Sequence, residues 1–211
     1  MILDDHGGYK VRPDSADHIA VDDTARVFRK PGAPSLGDSV LDLGAHIGSF
    51  TRRCLEVGAT KIVAVEPEPG NADMFLVNVP FDTRVSFVRA AVVGPDAPQT
   101  ASLYMSKTHA HSLEPRPGKS TIEVPTITLA RLFLEADFTY VKIDIEGGEY
   151  SLDLPDALPD SVDRLFLEFH LTYGRKHDAE VLRSRLDRQG WRAIWETSWN
   201  GRTYVEGVFA R

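Results

Sequence analysis

Short apolar runs alternate with stretches of helical spacing along most of the chain, most clearly from Ser39 onward. Val40–Leu43 is an apolar run followed by a glycine. Ser49–Val57 then sets Phe50, Cys54 and Val57 at helical intervals, with Gly58 where a helix C-cap falls. Ile62–Val65 is a second β-rich run, closed by Pro67 and Pro69. Asn71–Val79 carries Met74, Phe75 and Asn78 at helical spacing, and Val85–Val93 reads as one broad third strand. Strands alternating with helices at this interval predict an α/β fold with a parallel sheet buried on both faces.

The middle breaks the rhythm. Thr100–Met105 and Ser120–Thr126 read as a hairpin-like insertion around a polar, His- and Pro-containing stretch, followed by a short helix at Thr128–Glu135. Alternation resumes with a strand at Tyr140–Ile145, a helix from about Gly148, a strand at Arg164–Phe169 and a helix at Asp178–Gln189. Val181, Leu182, Leu186 and Gln189 space that last helix, and Gly190 stops it. Trp191–Thr197 and Arg202–Ala210 flank Asn200-Gly201, a tight-turn signal that predicts an antiparallel hairpin at the sheet's end. Residues 1–38 have no clear period. Val11–Val27 is read as a strand and short helix covering one end of the sheet, so 1–38 is taken as a cap segment and 39–211 as the main domain.

Composition narrows the classes. The 211 residues are 42% hydrophobic and 26% charged, which excludes disordered and low-complexity classes. Twenty-four basic against 31 acidic residues give a net charge of −7, which argues against a nucleic-acid or anionic-membrane partner held by bulk attraction. One cysteine, Cys54, excludes an internal disulfide framework and fits a reducing cytoplasm. No apolar run has the length of a spanning helix, and Met1–Lys10 is too acidic and polar for a signal peptide.

The first strand-to-helix turn, Asp42-Leu43-Gly44-Ala45-His46-Ile47-Gly48, carries candidate chemistry. Small residues there let backbone approach a ligand, and the helix opening at Ser49 offers free N–H groups. About twenty residues on, Glu66 ends the second strand, where a carboxylate accepts hydrogen bonds from both hydroxyls of a ribose. The glycines are spaced G-x-x-x-G and lack the G-x-G-x-x-G that clamps a dinucleotide. Asp42 suits a cationic ligand tail. S-adenosylmethionine, with one ribose, a sulfonium and an ammonium, fits better than a nicotinamide cofactor. Alternatively, a glycine turn and an acidic strand end are common features of α/β sheets.

Val40–Gly48, Val65-Glu66-Pro67-Glu68-Pro69, Val141-Lys142-Ile143-Asp144-Ile145-Glu146-Gly147-Gly148-Glu149 and Phe166-Leu167-Glu168-Phe169-His170 resemble, in order, motifs of FkbM-type S-adenosylmethionine-dependent methyltransferases. The third block is the most specific, and the resemblance spans roughly Val11 to Phe209. It implies the class I methyltransferase fold, a Rossmann-like three-layer sandwich on a seven-stranded, mostly parallel sheet whose last strand is antiparallel. It also implies O-methylation of a natural product or sugar. Carried over by motif, Asp42, Gly44, Ala45, His46, Gly48, Ser49, Glu66, Pro67 and Asp144 would contact the cofactor, and Ala90 and Ala91 would lie near the adenine.

Asp144 and Glu146 close the fourth core strand and Glu168 and His170 the fifth, so four ionisable groups meet at the crevice where open α/β sheets bind ligands. Alternation puts Lys142, Asp144 and Glu146 on one side of their strand. A sulfonium methyl is already activated, and the enzyme must align the nucleophile and remove its proton. His170 is the candidate base, oriented by Glu146 or Asp144. No metal is assigned, the alternative being a divalent cation held by Asp144, Glu168 and His170.

His109-Ala110-His111 reads as part of a substrate lid, with Ser112 facing the site. Tyr173-Gly174-Arg175-Lys176-His177 is read as lining the acceptor cleft or as a solvated loop. Trp191 and Trp195 are read as sheet packing, and Trp199 as exposed at the turn. The alternatives are methylation of a carboxylate or amine, a nicotinamide-dependent oxidoreductase, or a non-catalytic binding module. Expected partners are a small neutral or cationic acceptor, no nucleic acid and no membrane, in a monomer or homo-oligomer. Specificity is expected from residues 1–38, the Gly94–Pro125 insertion, the loop after His170 or a second subunit.

Overall fold

The computed structural model describes residues 2–106, 111–198 and 204–211. Near the N-terminus, β1 (Asp4–His6) and β2 (Tyr9–Val11) form a small antiparallel hairpin, followed by α1 (Asp17–Val27). The strand expected from Val11 onward instead ends at Val11. The core begins with β3 (Ser39–Leu43), α2 (Ser49–Val57), β4 (Lys61–Val65) and α3 (Pro69–Asn78). Pro69 takes the first helical position, where its missing N–H costs nothing, and Glu68 caps the helix by accepting from Gly70 N and Asn71 N.

The expected single strand Val85–Val93 is two. β5 (Val85–Val88) pairs with β4, the chain breaks at Arg89-Ala90, and β6 (Ala91–Val93) pairs parallel with β8 (Thr121–Thr128). β8 also pairs antiparallel with β7 (Thr100–Tyr104), so the expected insertion hairpin forms. A one-turn α4 (Leu129–Leu132), capped by Thr128, leads to β9 (Tyr140–Ile143). β9 ends before Asp144, so Asp144 and Glu146 stand on a loop, with Glu146 at φ +56°, and not on an alternating strand. The helix expected from Gly148 is a 3-10 turn, Gly148–Ser151; Pro155 and Pro159 follow closely and cannot donate to a longer helix.

β10 (Arg164–His170), α5 (Lys176–Arg188), β11 (Arg192–Glu196) and β12 (Tyr204–Ala210) complete the described chain. Among the described residues the main sheet has seven strands, ordered β11-β12-β10-β9-β3-β4-β5. β3, β4, β5, β9 and β10 run parallel, and β12 lies antiparallel between β10 and β11. The Asn200-Gly201 turn and Trp199 lie outside the described residues, as do His109 and Ala110.

Both faces of the central strands are covered, which is why their sequences are continuously apolar. Leu41, Leu43, Val141, Ile143, Leu165 and Leu167 belong to a cluster that also takes in Leu182, Leu186 and Trp191. Val40, Ile62, Tyr140 and Phe166 pack on the opposite face with Val27, Phe50 and Cys54. Val181, expected in the apolar stripe of α5, is exposed; Ala179 takes its place. Trp191 is fully buried, and Trp195 is half-buried under the Lys30 ammonium. No helix among the described residues is long and apolar enough to cross a membrane.

Candidate active site

The C-terminal ends of β3, β4, β9 and β10 open on a cavity of about 390 Å3. At one end lies the turn after β3. Gly44 N and Ala45 N both donate to Val65 O at 3.0 Å, which folds the turn back over β4. Gly44 has φ +80°, and a Cβ there would run into the Asp144 carbonyl, so this position needs glycine twice over. The His46 amide then donates to Glu66 Oε2 at 3.0 Å, while Glu66 Oε1 accepts from Glu68 N at 3.0 Å and from Asn71 Nδ2 at 3.3 Å. Burial pushes the Glu66 carboxyl up to about 7 against the pull of these donors.

Ala45, His46, Ser49, Glu66, Pro67, Ala90 and Ala91 all face the cavity, as the motif positions imply. Two expected contacts do not. Gly48 (φ +86°) opens α2, but its Cα packs against Phe75 and Val79, 2.9 and 2.5 Å from where a Cβ would stand. Its constraint is helix packing. Asp42 is fully buried below the turn: register sets it beside Lys142, its Oδ2 accepts from Thr51 Oγ1 at 2.7 Å, and its Oδ1 stands 3.2 Å from Lys142 Nζ. Of the two aspartates expected at the cofactor, Asp144 is the one that reaches the cavity, a third exposed.

Lys142 ties these parts together. Its ammonium donates to Gly44 O at 2.9 Å and stands 3.6 Å from Asp144 Oδ2. Burial works against its charge, but Asp42 and Asp144 outweigh it and hold the pKa above the ordinary lysine value. The turn, its supporting carboxylate and the cavity carboxylate thus share one buried cation.

At the other end, His170 closes β10 inside a ring of carboxylates. Its Nδ1 lies 3.2 Å from Glu149 Oε1, and its backbone N–H donates to the same oxygen at 2.8 Å. Its Nε2 faces Glu168 at 3.5 Å, Glu146 at 3.6 Å and Asp144 at 4.0 Å. Burial alone would lower the imidazole's pKa, but the Glu149 charge and then Glu146 and Glu168 drive it well above the ordinary value. Glu168 is pushed well above the usual carboxylate range, by burial and then by the Asp144 charge. All four expected catalytic residues, Asp144, Glu146, Glu168 and His170, therefore converge on one end of the cavity.

Glu149 is the partner that sequence reasoning missed. It is fully buried, it orients the ring, and its other oxygen accepts from Gly147 N at 2.9 Å. Its signal was its place at the end of the third motif block. Arg12 and Asp17 had no signal: Arg12 donates to Asp17 and to Asn71 Oδ1, bracing the Glu66 corner from the N-terminal segment. α1 walls the far side through Ile19, Asp23 and Arg26, and Arg26 pairs with buried Glu206 of β12.

Of the insertion, His111 and Leu113 line the cavity. Ser112 does not face it; its hydroxyl donates to Glu146 O at 2.6 Å and fixes the loop after β9. Arg175 turns away to pair with Glu114 and Asp178, so of the loop after His170 Thr172 is what reaches the cavity.

The family model for the methyltransferase FkbM domain matches residues 42–190. Among curated proteins none matches. A solved FkbM methyltransferase from Methylobacillus flagellatus superposes with a TM-score of 0.53 at 14% identity, over 83% of this chain and 44% of that one. Sp1610 from Streptococcus pneumoniae, solved with S-adenosyl-L-methionine, gives 0.51 at 16% identity over 91% and 72%. The M. jannaschii tRNA m1G37 methyltransferase gives 0.53 at 12% over 99% and 56%. At these identities the likeness is one of fold. The chain spans less than half of the Methylobacillus protein and just over half of the M. jannaschii one.

Proposed function

Because this chain belongs to the FkbM methyltransferase family, we propose that it methylates a hydroxyl group on a small natural product or sugar, using S-adenosylmethionine. The observation that carries the proposal is that one cavity runs from Glu66 to the carboxylate–imidazole cluster around His170. A ribose-binding acid and a proton-handling centre therefore share a single space of ligand size.

The residues present fit the cofactor. Three of the four acceptor sites of Glu66 are filled, and Oε2, which holds one donor, keeps a lone pair for a ribose hydroxyl. Ala90 and Ala91 leave an apolar slot for a flat base, and Asp144 offers the carboxylate for an ammonium. When bound, S-adenosylmethionine supplies a methyl group already activated on sulfur. The protein's remaining tasks are alignment, exclusion of water and removal of the acceptor's proton. Glu168, Glu146, Asp144 and His170 surround the point where such a hydroxyl would enter, with Phe166 walling it against water. His170, the candidate base, is the centre of that cluster.

The net charge of −7 and the acidic cavity wall support a small neutral or cationic acceptor over a polyanion. A buried free thiol at Cys54 supports a cytoplasmic setting. Two experiments test the proposal. Titration calorimetry is expected to show S-adenosylhomocysteine binding and no NAD binding. A metabolite pool incubated with methyl-labelled cofactor is expected to yield a labelled ether by mass spectrometry. A labelled ester or amine would move the acceptor to the carboxylate or amine class, and failure to bind S-adenosylhomocysteine would overturn the reading.

A further inference from the structure

We propose that Asp144, Glu146 and His170 form a binding site for one divalent cation of the Mn2+ or Mg2+ type, which activates the acceptor hydroxyl. The inference rests on the methyltransferase reading for its role, but not for its existence. One atom from each of the three side chains, Asp144 Oδ, Glu146 Oε and His170 N, lies within 4.8 Å of the others, close enough to share an ion. Glu168 Oε1, 3.5 Å from the same ring nitrogen, stands beside them as a fourth oxygen.

A cluster of acids alone would say little. The imidazole adds a second, separate observation. His170 is more than nine-tenths buried, and its Nδ1 is committed to the fully buried Glu149. That contact holds Nδ1 as a donor and directs Nε2 at Asp144, Glu146 and Glu168, so a cation entering there would take the place of the Nε2 proton. A carboxylate behind a histidine is the arrangement that orients histidine ligands in metal sites. Nε2 stands 3.5 to 4.0 Å from one oxygen of each of the three carboxylates. They surround the nitrogen as ligands of a common centre do.

Charge points the same way. Lys142 approaches Asp144 through Oδ2, leaving Oδ1 turned to the ring, and Arg116 reaches Glu146 at 3.7 Å. Asp42, Asp144, Glu146, Glu149 and Glu168 still outnumber these two cations. The donor set, one nitrogen with two or three carboxylate oxygens, suits Mn2+ or Mg2+ better than a thiolate-seeking ion. Bound there, the cation would draw electron density from the acceptor oxygen. With His170 held as a ligand, the imidazole would no longer serve as the base: the hydroxyl proton would pass to Glu168, the C–O bond would form as the C–S bond breaks, and that electron pair would return to sulfur.

The test uses the whole chain with Mn2+ alone, followed by the loss of the free-ion electron paramagnetic resonance signal. One ion per chain is expected. Asp144→Asn and His170→Ala should weaken binding at least tenfold, and Glu149→Gln should weaken it by about 10 to 100 times although no direct ligand is lost. Asp73→Asn, on the surface of α3, should leave it unchanged, and circular dichroism checks each variant's fold. No saturable Mn2+ binding, or binding indifferent to His170→Ala, would overturn the site. Full turnover in chelator with S-adenosylhomocysteine still bound would overturn its role while leaving the methyltransferase reading intact.

Discussion

Replacing Glu66 by Gln isolates the acid that would hold the cofactor's ribose. In the folded chain this carboxyl is raised from 4.5 to about 7, chiefly by burial. At about 1.4 kcal/mol per pH unit, keeping it ionised costs roughly 3 kcal/mol relative to water. Between these two values the folded chain binds a proton that the unfolded chain does not, so this group's contribution to stability falls as pH rises from 4.5 to about 7 and then levels. Ribose hydroxyls donate to the ionised form, so ligand binding must expel that proton. The dissociation constant is therefore expected to be flat above about pH 7 and to rise up to tenfold per unit below it. The clean probe is 5′-methylthioadenosine, which keeps ribose and base but carries no ionising amino acid. Calorimetry in two buffers of different ionisation enthalpy counts the released proton. Glu66→Gln should abolish the pH dependence and, by losing charge-assisted bonds worth about 2 kcal/mol, weaken binding at pH 8 about thirtyfold. Wild-type affinity flat from pH 6 to 8, or a slope that survives in Glu66→Gln, would refute the assignment.

Other expectations concern the frame around that acid. Gly44→Ala should cost several kcal/mol, because the new Cβ meets the Asp144 carbonyl at a φ of +80°; urea unfolding measures it. Lys142→Met strands the fully buried Asp42 charge and should destabilise by about 3–5 kcal/mol, lowering the melting temperature by roughly 10 °C in calorimetry. Arg26→Met uncovers buried Glu206 across a pair whose arginine is a third exposed, so about 2 kcal/mol is expected in the same assay. Ser112→Ala should raise the KM for the acceptor more than it lowers thermal stability, since its hydroxyl pins Glu146.

Which parts of this were legible in the sequence follows from their physics. β3 and β4 were readable because strands covered on both faces must be apolar throughout, and Glu66 because the βα rhythm delivers the next strand end at a set distance. The division between β5 and β6 was not, because β-branched residues continue across Arg89-Ala90 while the pairing partner changes from β4 to β8. Asp42 was legible as a turn acid but not as a buried one. Its fate depends on the Asp42–Lys142 register, which exists only once β3 and β9 lie side by side. Asp144 and Glu146 were found by motif, yet the loop that carries them takes its shape from Ser112, 34 residues upstream of Glu146. Arg12, Asp17 and Arg26 fall in a segment without period, and the contacts that tie them to the site, Asn71 for Arg12 and Glu206 for Arg26, form only in the tertiary structure.

Arg26 and Glu206 stand 180 positions apart, yet they close the same wall of the cavity. During synthesis the ribosome delivers the turn, Glu66 and the His170 cluster well before it delivers β12. Until then β10 has an open edge, and Glu168 has no neighbour at the position Glu206 will fill. A chain stopped short of Tyr204 would carry every motif residue and still lack a sealed pocket. Competence thus waits on β12, and chains made only as far as β11 would have no enclosed site in which to act on a methyl donor.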